Sequence, residues 1–147
     1  MKYDKVLFIC RDNQTMGPMA EAIYKSICPV EGLEISSRGL VVLFEAPINP
    51  KVSVVLGSHG LAPASENSKG LDESDFTRAT LVLTMNEKQR DMFHEKYPLI
   101  PAAVLSEYVG NMELTDPYGG SLMDYEKCFS ELSLMLRKLT EQMEADI

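Results

Sequence analysis

The chain has 147 residues, of which 45% are hydrophobic and 24% charged, and its formal net charge at pH 7 is −8. This size and balance predict one globular domain spanning residues 1–147 and exclude disordered, collagen-like and disulfide-scaffold proteins. Because the chain is acidic and has no stripe of basic residues, we expect it to bind neither nucleic acid nor an anionic membrane.

The sequence shows no export signal and no metal-binding pattern. The N-terminal residues lead directly into a strand-like segment, without the apolar stretch and cleavage site of a signal peptide. Its apolar runs are far shorter than the roughly 20 residues that a membrane helix needs. The three cysteines and two histidines are widely spaced and form no cluster. We therefore expect a cytoplasmic protein with reduced cysteines, no metal ion and no cofactor.

The first half of the chain alternates between strand and helix patterns. The nearly continuous apolar run Lys5–Cys10 is typical of a buried parallel strand. A helical pattern covers residues 17–28, with a proline in its first turn, where the missing N–H costs nothing. Leu33–Ser37 alternates like a second strand. An irregular stretch then precedes a second helix, over residues 50–57.

The second half continues the same alternation. Its predicted elements are, in order, a polar loop over 65–75, a buried strand over 79–85, a helix over 87–97, a short strand over 102–105, a loop over 110–120 and a long C-terminal helix. Such alternation predicts an α/β fold with a mostly parallel sheet. Ligands of these sheets bind beyond the carboxyl ends of the strands, so the loops over 10–17 and 110–120 should meet there.

The loop after the first strand is the strongest candidate for chemistry. Cys10 ends the strand, and a helix begins a few residues later, so the loop's N–H groups and the helix N-terminus can cradle an anion. The same positive potential lowers a thiol pKa and makes a reactive thiolate. A buried structural cysteine explains the position equally well. Asp116 is a candidate acid, but an aspartate before a proline is also a common turn former.

Together these segments resemble the low-molecular-weight protein tyrosine phosphatases. That family opens with a strand, a cysteine, five residues, and then Arg, Ser and Pro, followed by a hydrophobic residue, Ala and Glu. The corresponding stretch here is Cys10-Arg11-Asp12-Asn13-Gln14-Thr15-Met16-Gly17-Pro18-Met19-Ala20-Glu21. Further likeness lies in Ser37-Arg38-Gly39, in the strand ending at Met85, in Leu105-Ser106-Glu107-Tyr108 (like the last strand) and in Asp116-Pro117-Tyr118-Gly119-Gly120-Ser121. The match in order and spacing runs from residue 4 to residue 140.

The resemblance implies a three-layer sandwich with a four-stranded parallel sheet, and the hydrolysis of phosphomonoesters such as phosphotyrosine. It implies that Cys10 is the nucleophile that forms a cysteinyl phosphate, that Asp116 is the acid/base, and that Asn13 holds the loop. Phe44 and Tyr118 would flank the substrate cleft. The implied partners are a phosphorylated protein or small aryl phosphate, and inorganic phosphate or a similar anion.

The phosphate loop departs from the family pattern at four positions. Met16 stands where the family has its phosphate-binding arginine, and Gly17 where it has the serine or threonine that assists the thiolate. Asp12 replaces a glycine, and Arg11 replaces an apolar residue or threonine. The lost donor and the added carboxylate would slow catalysis by about 10²–10⁶-fold. Arg11 would reduce that loss if it folded back over the loop, or it would pair with Asp12.

Three hypotheses stay open at this point. The chain is a working phosphatase with altered substrates, a pseudophosphatase that binds an anion or partner without useful turnover, or a protein that uses Cys10 for thiol redox chemistry. A working phosphatase would turn over a phosphomonoester. A pseudophosphatase would at most bind phosphate, without turnover. A redox cysteine would have a low thiol pKa and would oxidise reversibly.

Overall fold

The structure, a computed structural model, describes residues 2–145, and their side chains as far as residue 143. Its strands are β1 (Lys5–Cys10), β2 (Glu34–Gly39), β3 (Thr80–Thr84) and β4 (Ala103–Val104). Its helices are α1 (Met16–Ile27), α2 (Pro50–Ser58), α3 (Glu87–Lys96), α4 (Leu105–Tyr108) and α5 (Leu122–Ala145), with a 3-10 turn over Glu73–Asp75. None of the described helices is both long and apolar enough to cross a membrane.

The four strands form one parallel sheet in the order β2-β1-β3-β4. Side chains of β1 alternate between its two faces. Val6, Phe8 and Cys10 belong to the larger core, which α1, α2 and α5 cover, whereas Leu7 and Ile9 belong to a smaller core. That smaller core is covered by α3. The chain is therefore the predicted α/β sandwich of a sheet between two helical layers.

The last strand differs from the prediction. β4 has only two residues, and Leu105–Tyr108 forms a helical turn instead of continuing the strand. β4 pairs only with Leu83 and Thr84, and β3 ends at Thr84, so no partner remains for Leu105. The helical turn also buries the Leu105 side chain completely in the larger core.

The register of the sheet brings three strand ends together. Cys10 lies opposite Gly39 at the end of β2, and Ile9 lies opposite Thr84 at the end of β3. The loop between β1 and α1 therefore lies at the carboxyl edge of the sheet, where ligands of parallel sheets bind.

Candidate active site

The loop that follows Cys10 folds back over the cysteine thiol. The backbone N–H of Asn13 donates to Cys10 Sγ at 3.2 Å. Asn13 has φ of 60°, in the left-handed region that asparagine tolerates better than most residues. A change in the sign of φ within a short loop lets successive N–H groups converge on one point, which is the geometry of an anion cradle.

A buried chain of hydrogen bonds fixes Asn13 and thereby the loop. Its side-chain amide donates to Ser37 Oγ at 2.9 Å, and its Oδ1 accepts the backbone N–H of Lys69 at 2.8 Å. Ser37 Oγ in turn donates to Glu21 on α1 at 2.7 Å, and Glu21 pairs with Lys25 at 2.8 Å. These contacts tie the loop to β2, to α1 and to the segment before β3, which fits the loop-holding role that the resemblance implies for Asn13.

Gly39 is a site residue whose role the sequence patterns did not reveal. A Cβ at this position would lie 2.8 Å from the carbonyl carbon of Asp12 and 2.9 Å from the backbone nitrogen of Asn13. The side-chain atom Val42 Cγ2 would be nearer still, at 2.7 Å. Because the atoms of Asp12 and Asn13 belong to the backbone, only glycine lets the loop pack this closely on β2. The following residue, Leu40, donates its N–H to the Cys10 carbonyl at 3.0 Å. The sequence signal for this contact is the glycine that ends the strand in Ser37-Arg38-Gly39.

The Cys10 thiol is almost fully buried, with 2% of the residue exposed. Burial raises its pKa to about 11, and the nearby carboxylate of Asp12 also raises it. The backbone N–H groups of Gly17, Asn13 and Asp12 act in the opposite direction but do not offset the burial. The neutral thiol is therefore the stable form at neutral pH.

The four loop positions that differ from the family pattern are partly buried and partly exposed. The Met16 side chain is 3% exposed and packs in the larger core. At Gly17 an added Cβ would lie 2.9 Å from Cys10 Sγ, so the thiol fills space that a side chain would need. Asp12 Oδ1 accepts the backbone N–H of Gln14 at 3.2 Å. Arg11 is exposed, and within the described residues it forms no ion pair with Asp12 or with any other carboxylate.

A cleft of about 130 Å³ opens above this loop. The residues that line it are Cys10, Arg11, Asp12, Thr15, Met16, Gln89, Asp116 and Tyr118. The structure thus brings the predicted nucleophile and the predicted acid to one cleft. Asn13 and Gln14 of the loop and Gly17 of α1 are not among the described lining residues. Phe44 is 84% exposed between β2 and α2 and is not among the described lining residues.

Gln89 is a lining residue that the sequence analysis missed. It belongs to the first turn of α3 and is 7% exposed. Its side-chain Oε1 accepts the backbone N–H of Met85 at 2.9 Å, and its own N–H donates to the Asn86 cap at 2.8 Å. α3 begins directly after the central strand β3, so its first turn lies at the carboxyl edge of the sheet. That order of elements is the sequence signal that could have pointed to Gln89.

Asp116 forms the turn that its position before a proline favours, and it also lines the cleft. Its Oδ1 accepts the backbone N–H of Tyr118 at 3.0 Å, as in an Asx turn, and the residue is exposed at the cleft. The other carboxylate oxygen remains available to a ligand. Across the described residues, no group of three or more His, Cys, Asp or Glu side chains converges as a metal site.

Known proteins with the same sequence pattern and fold are phosphatases. The family model for low molecular weight phosphotyrosine protein phosphatases matches residues 5–147. The protein-arginine-phosphatase of Bacillus subtilis (strain 168) is 32% identical over 148 residues, covering 96% of this chain and 97% of that protein. The low molecular weight protein-tyrosine-phosphatase PtpB of Staphylococcus epidermidis is 30% identical over 138 residues, covering 92% and 96%.

A solved structure of the arginine phosphatase YwlE matches with a TM-score of 0.88 and 28% identity, covering 97% of each chain. That protein is a Cys-to-Ser variant with a phosphorylated active-site serine. The family match spans nearly the whole chain and agrees with the parallel sheet and the loop described above. The chain belongs to the low molecular weight phosphotyrosine protein phosphatase family.

Proposed function

We propose that this chain is a catalytically silenced member of its family, which acts by binding through its former active-site cleft. The observation that carries the proposal is that the Cys10 thiol is buried, with its pKa raised by that burial and by the nearby Asp12 carboxylate, while the position of the phosphate-binding arginine holds the buried Met16. Of the three hypotheses that the sequence leaves open, this is the pseudophosphatase.

The family reaction assigns defined roles to two residues of this cleft. The Cys10 thiolate would attack the phosphorus of a phosphomonoester, forming an S–P bond while the bond to the leaving oxygen breaks. Asp116 would give its proton to that oxygen and then take one from the water that hydrolyses the cysteinyl phosphate. Cys10 and Asp116 both line the cleft, which supports these assignments for any residual activity.

Two properties of the loop oppose this reaction. Because burial raises the pKa of Cys10 to about 11, the thiol rather than the thiolate is the main form at pH 7. The transferring oxygens also lack a bidentate cation, and the loss of one preorganised donor lowers the rate by about 10²–10³-fold. The carboxylate of Asp12 repels the incoming phosphate in addition. These effects act on the same step, so we expect turnover far below that of relatives with an intact loop.

Redox chemistry at Cys10 finds no support in the structure. Redox-sensing cysteines have low pKa values and are accessible, because the thiolate is the form that oxidants attack. Here burial raises the pKa of Cys10. The relatives act, by their names, on phosphorylated tyrosine or arginine of proteins, so a protein is the partner class we infer for this cleft.

Hydrolysis of an aryl phosphate tests the proposal. Wild-type protein is compared with Cys10→Ser, which keeps the cleft but lacks the nucleophile. The Staphylococcus epidermidis relative is assayed alongside as the active reference. We expect the wild-type rate to lie close to the Cys10→Ser blank and far below the rate of that relative. A wild-type rate similar to that relative's, and lost in Cys10→Ser, would show a working phosphatase and overturn the proposal.

A further inference from the structure

We propose that a second cavity, beside the free edge of β2, binds a phosphate-type oxyanion. This edge pocket lies between helix α1, the outer edge of β2 and residues 64–69, and its volume is about 180 Å³. It has no described lining residue in common with the cleft above Cys10. The edge pocket is therefore a separate site, and it does not depend on whether Cys10 is active.

The charges of the edge pocket favour an anion. Its described lining includes three cations, namely Lys25, Arg38 and Lys69. One carboxylate, that of Glu21, opposes them, so the charged lining sums to +2. Asp75 pairs with Arg38 at 3.0 Å from outside the lining and lowers this sum to +1, and the exposed Glu66 is not among the described lining residues. In a chain with a net charge of −8, this is a local excess of positive charge that would attract an anion.

The three cations keep N–H donors for a ligand. Lys25 uses one of its three N–H groups on its ion pair with the α1 carboxylate, at 2.8 Å. Arg38 uses Nε on its carboxylate partner and Nη1 on the Ser37 carbonyl at 2.7 Å, and its Nη2 has no hydrogen-bond partner in the described part of the chain. The ammonium of the exposed Lys69 forms no ion pair with any described residue. A ligand in the edge pocket can therefore accept from all three side chains.

The backbone N–H of Ser37 is a further donor, and it is buried. In β2, Glu34 and Leu40 donate their N–H groups towards β1, at 3.1 Å and 3.0 Å. Because the N–H groups of a strand alternate between its two edges, that of Ser37 points to the free edge, like that of Gly39, which donates to the Lys69 carbonyl at 2.8 Å. Ser37 is 3% exposed, and its N–H donates to no described acceptor. An anion in the edge pocket would satisfy it.

The arrangement of the donors suits a tetrahedral oxyanion. They belong to α1, to β2 and to the segment over 64–69, so they reach the edge pocket from three sides. A phosphate group presents oxygens in all these directions, whereas a planar carboxylate has only two oxygens. Asn13 also lines the edge pocket, next to its contacts with Ser37 and the Lys69 N–H. A bound anion would therefore touch the residues that hold the loop above Cys10.

The test is a titration of the full-length protein at constant ionic strength, followed by backbone-amide NMR. The probes are inorganic phosphate, acetyl-phosphoserine amide and acetate. We expect phosphate to shift the amides of residues 21–25, 36–38 and 64–69, and acetate to bind at least about fivefold more weakly. Lys69→Gln and Arg38→Gln should each weaken phosphate binding at least about threefold.

Lys96→Gln is the matched control. Lys96 is an exposed lysine at the end of α3, which covers the opposite face of the sheet from α1. The variant should bind phosphate like wild type. Where Arg38→Gln fails to fold because its ion pair is lost, Lys69→Gln still gives the comparison, since its side chain is exposed and unpaired among the described residues.

The two phosphate probes distinguish the source of the ligand. Binding of inorganic phosphate alone supports a free anion, and similar binding of acetyl-phosphoserine amide supports a phosphorylated side chain. Absent shifts at the amides of the edge pocket, equal binding of acetate, or unchanged phosphate affinity in both variants would overturn the inference. Shifts confined to residues 10–17 and 116–118 would place the anion in the cleft above Cys10 and would also overturn it. Turnover of aryl phosphate bears on the proposed function alone.

Discussion

Burial of the Cys10 thiol, together with the nearby Asp12 carboxylate, sets the protonation state of this residue. In a phosphatase loop, converging N–H groups and a guanidinium favour the thiolate. Here the N–H groups remain, but burial dominates and the Asp12 carboxylate raises the pKa further. The raised pKa favours the protonated thiol, whereas the family reaction needs the thiolate.

Alkylation of Cys10 as a function of pH measures this effect. We expect the rate constant to rise with pH until about 11, since only the thiolate reacts and the pKa is raised to about 11. Asp12→Asn removes a nearby negative charge, so it should move the midpoint to lower pH. Site-resolved mass spectrometry separates Cys10 from Cys28 and Cys128, and Glu31→Gln serves as the charge control. A wild-type midpoint below pH 8 would contradict the account.

At the scale of elements, the contact between the phosphate loop and the end of β2 positions the site. Gly39 lies so close to the loop backbone that a methyl group has no room. The Val42 side chain could shift, but the other obstructing atoms belong to the backbone of Asp12 and Asn13, so relief also requires moving the loop itself.

Gly39→Ala should destabilise the protein by about 1–3 kcal/mol, the usual range for overpacking. Gly57→Ala is the matched control, since its Cβ would meet nothing within 4 Å and it lies inside α2, where alanine favours the helix. Urea unfolding of both variants gives the comparison. Equal stability of Gly39→Ala and wild type would show that the loop is not held this closely.

The start of α3 depends on one cap. Asn86 Oδ1 accepts the N–H of Gln89 at 2.8 Å, so Asn86→Ala should cost about 1 kcal/mol of unfolding free energy. The exposed Lys88→Ala on the same turn should change stability by less than about 0.5 kcal/mol. Thermal or urea unfolding measures both, and a larger loss in Lys88→Ala than in Asn86→Ala would refute the cap.

The spacing of apolar residues predicted most of these elements, because the apolar side chains of each strand and helix are the ones that the core buries. The apolar run Lys5–Cys10 is such a local signal, and the structure has a strand over the same residues. The short last strand was mispredicted since its length depends on where β3 ends, which is a tertiary property. The close approach at Gly39 and the lining role of Gln89 likewise depend on long-range packing that no local pattern encodes.

At the scale of the whole molecule, the fold and the chemistry are separable. The family scaffold persists in full, from the parallel sheet to the loop anchor at Asn13, which contacts Ser37 and Lys69. None of these contacts requires an arginine at position 16. The scaffold around the cleft therefore does not depend on a phosphate-binding arginine.

Restoration of the loop tests the central claim most directly. The variant Asp12→Gly/Met16→Arg removes the opposing carboxylate and returns the cation, and it leaves Gly17 unchanged because a side chain there would crowd Cys10 Sγ. Aryl phosphate hydrolysis should rise at least about 100-fold over wild type, and adding Cys10→Ser should abolish the gain. A folded double variant that is no faster than wild type would contradict the claim that these two positions silence the site.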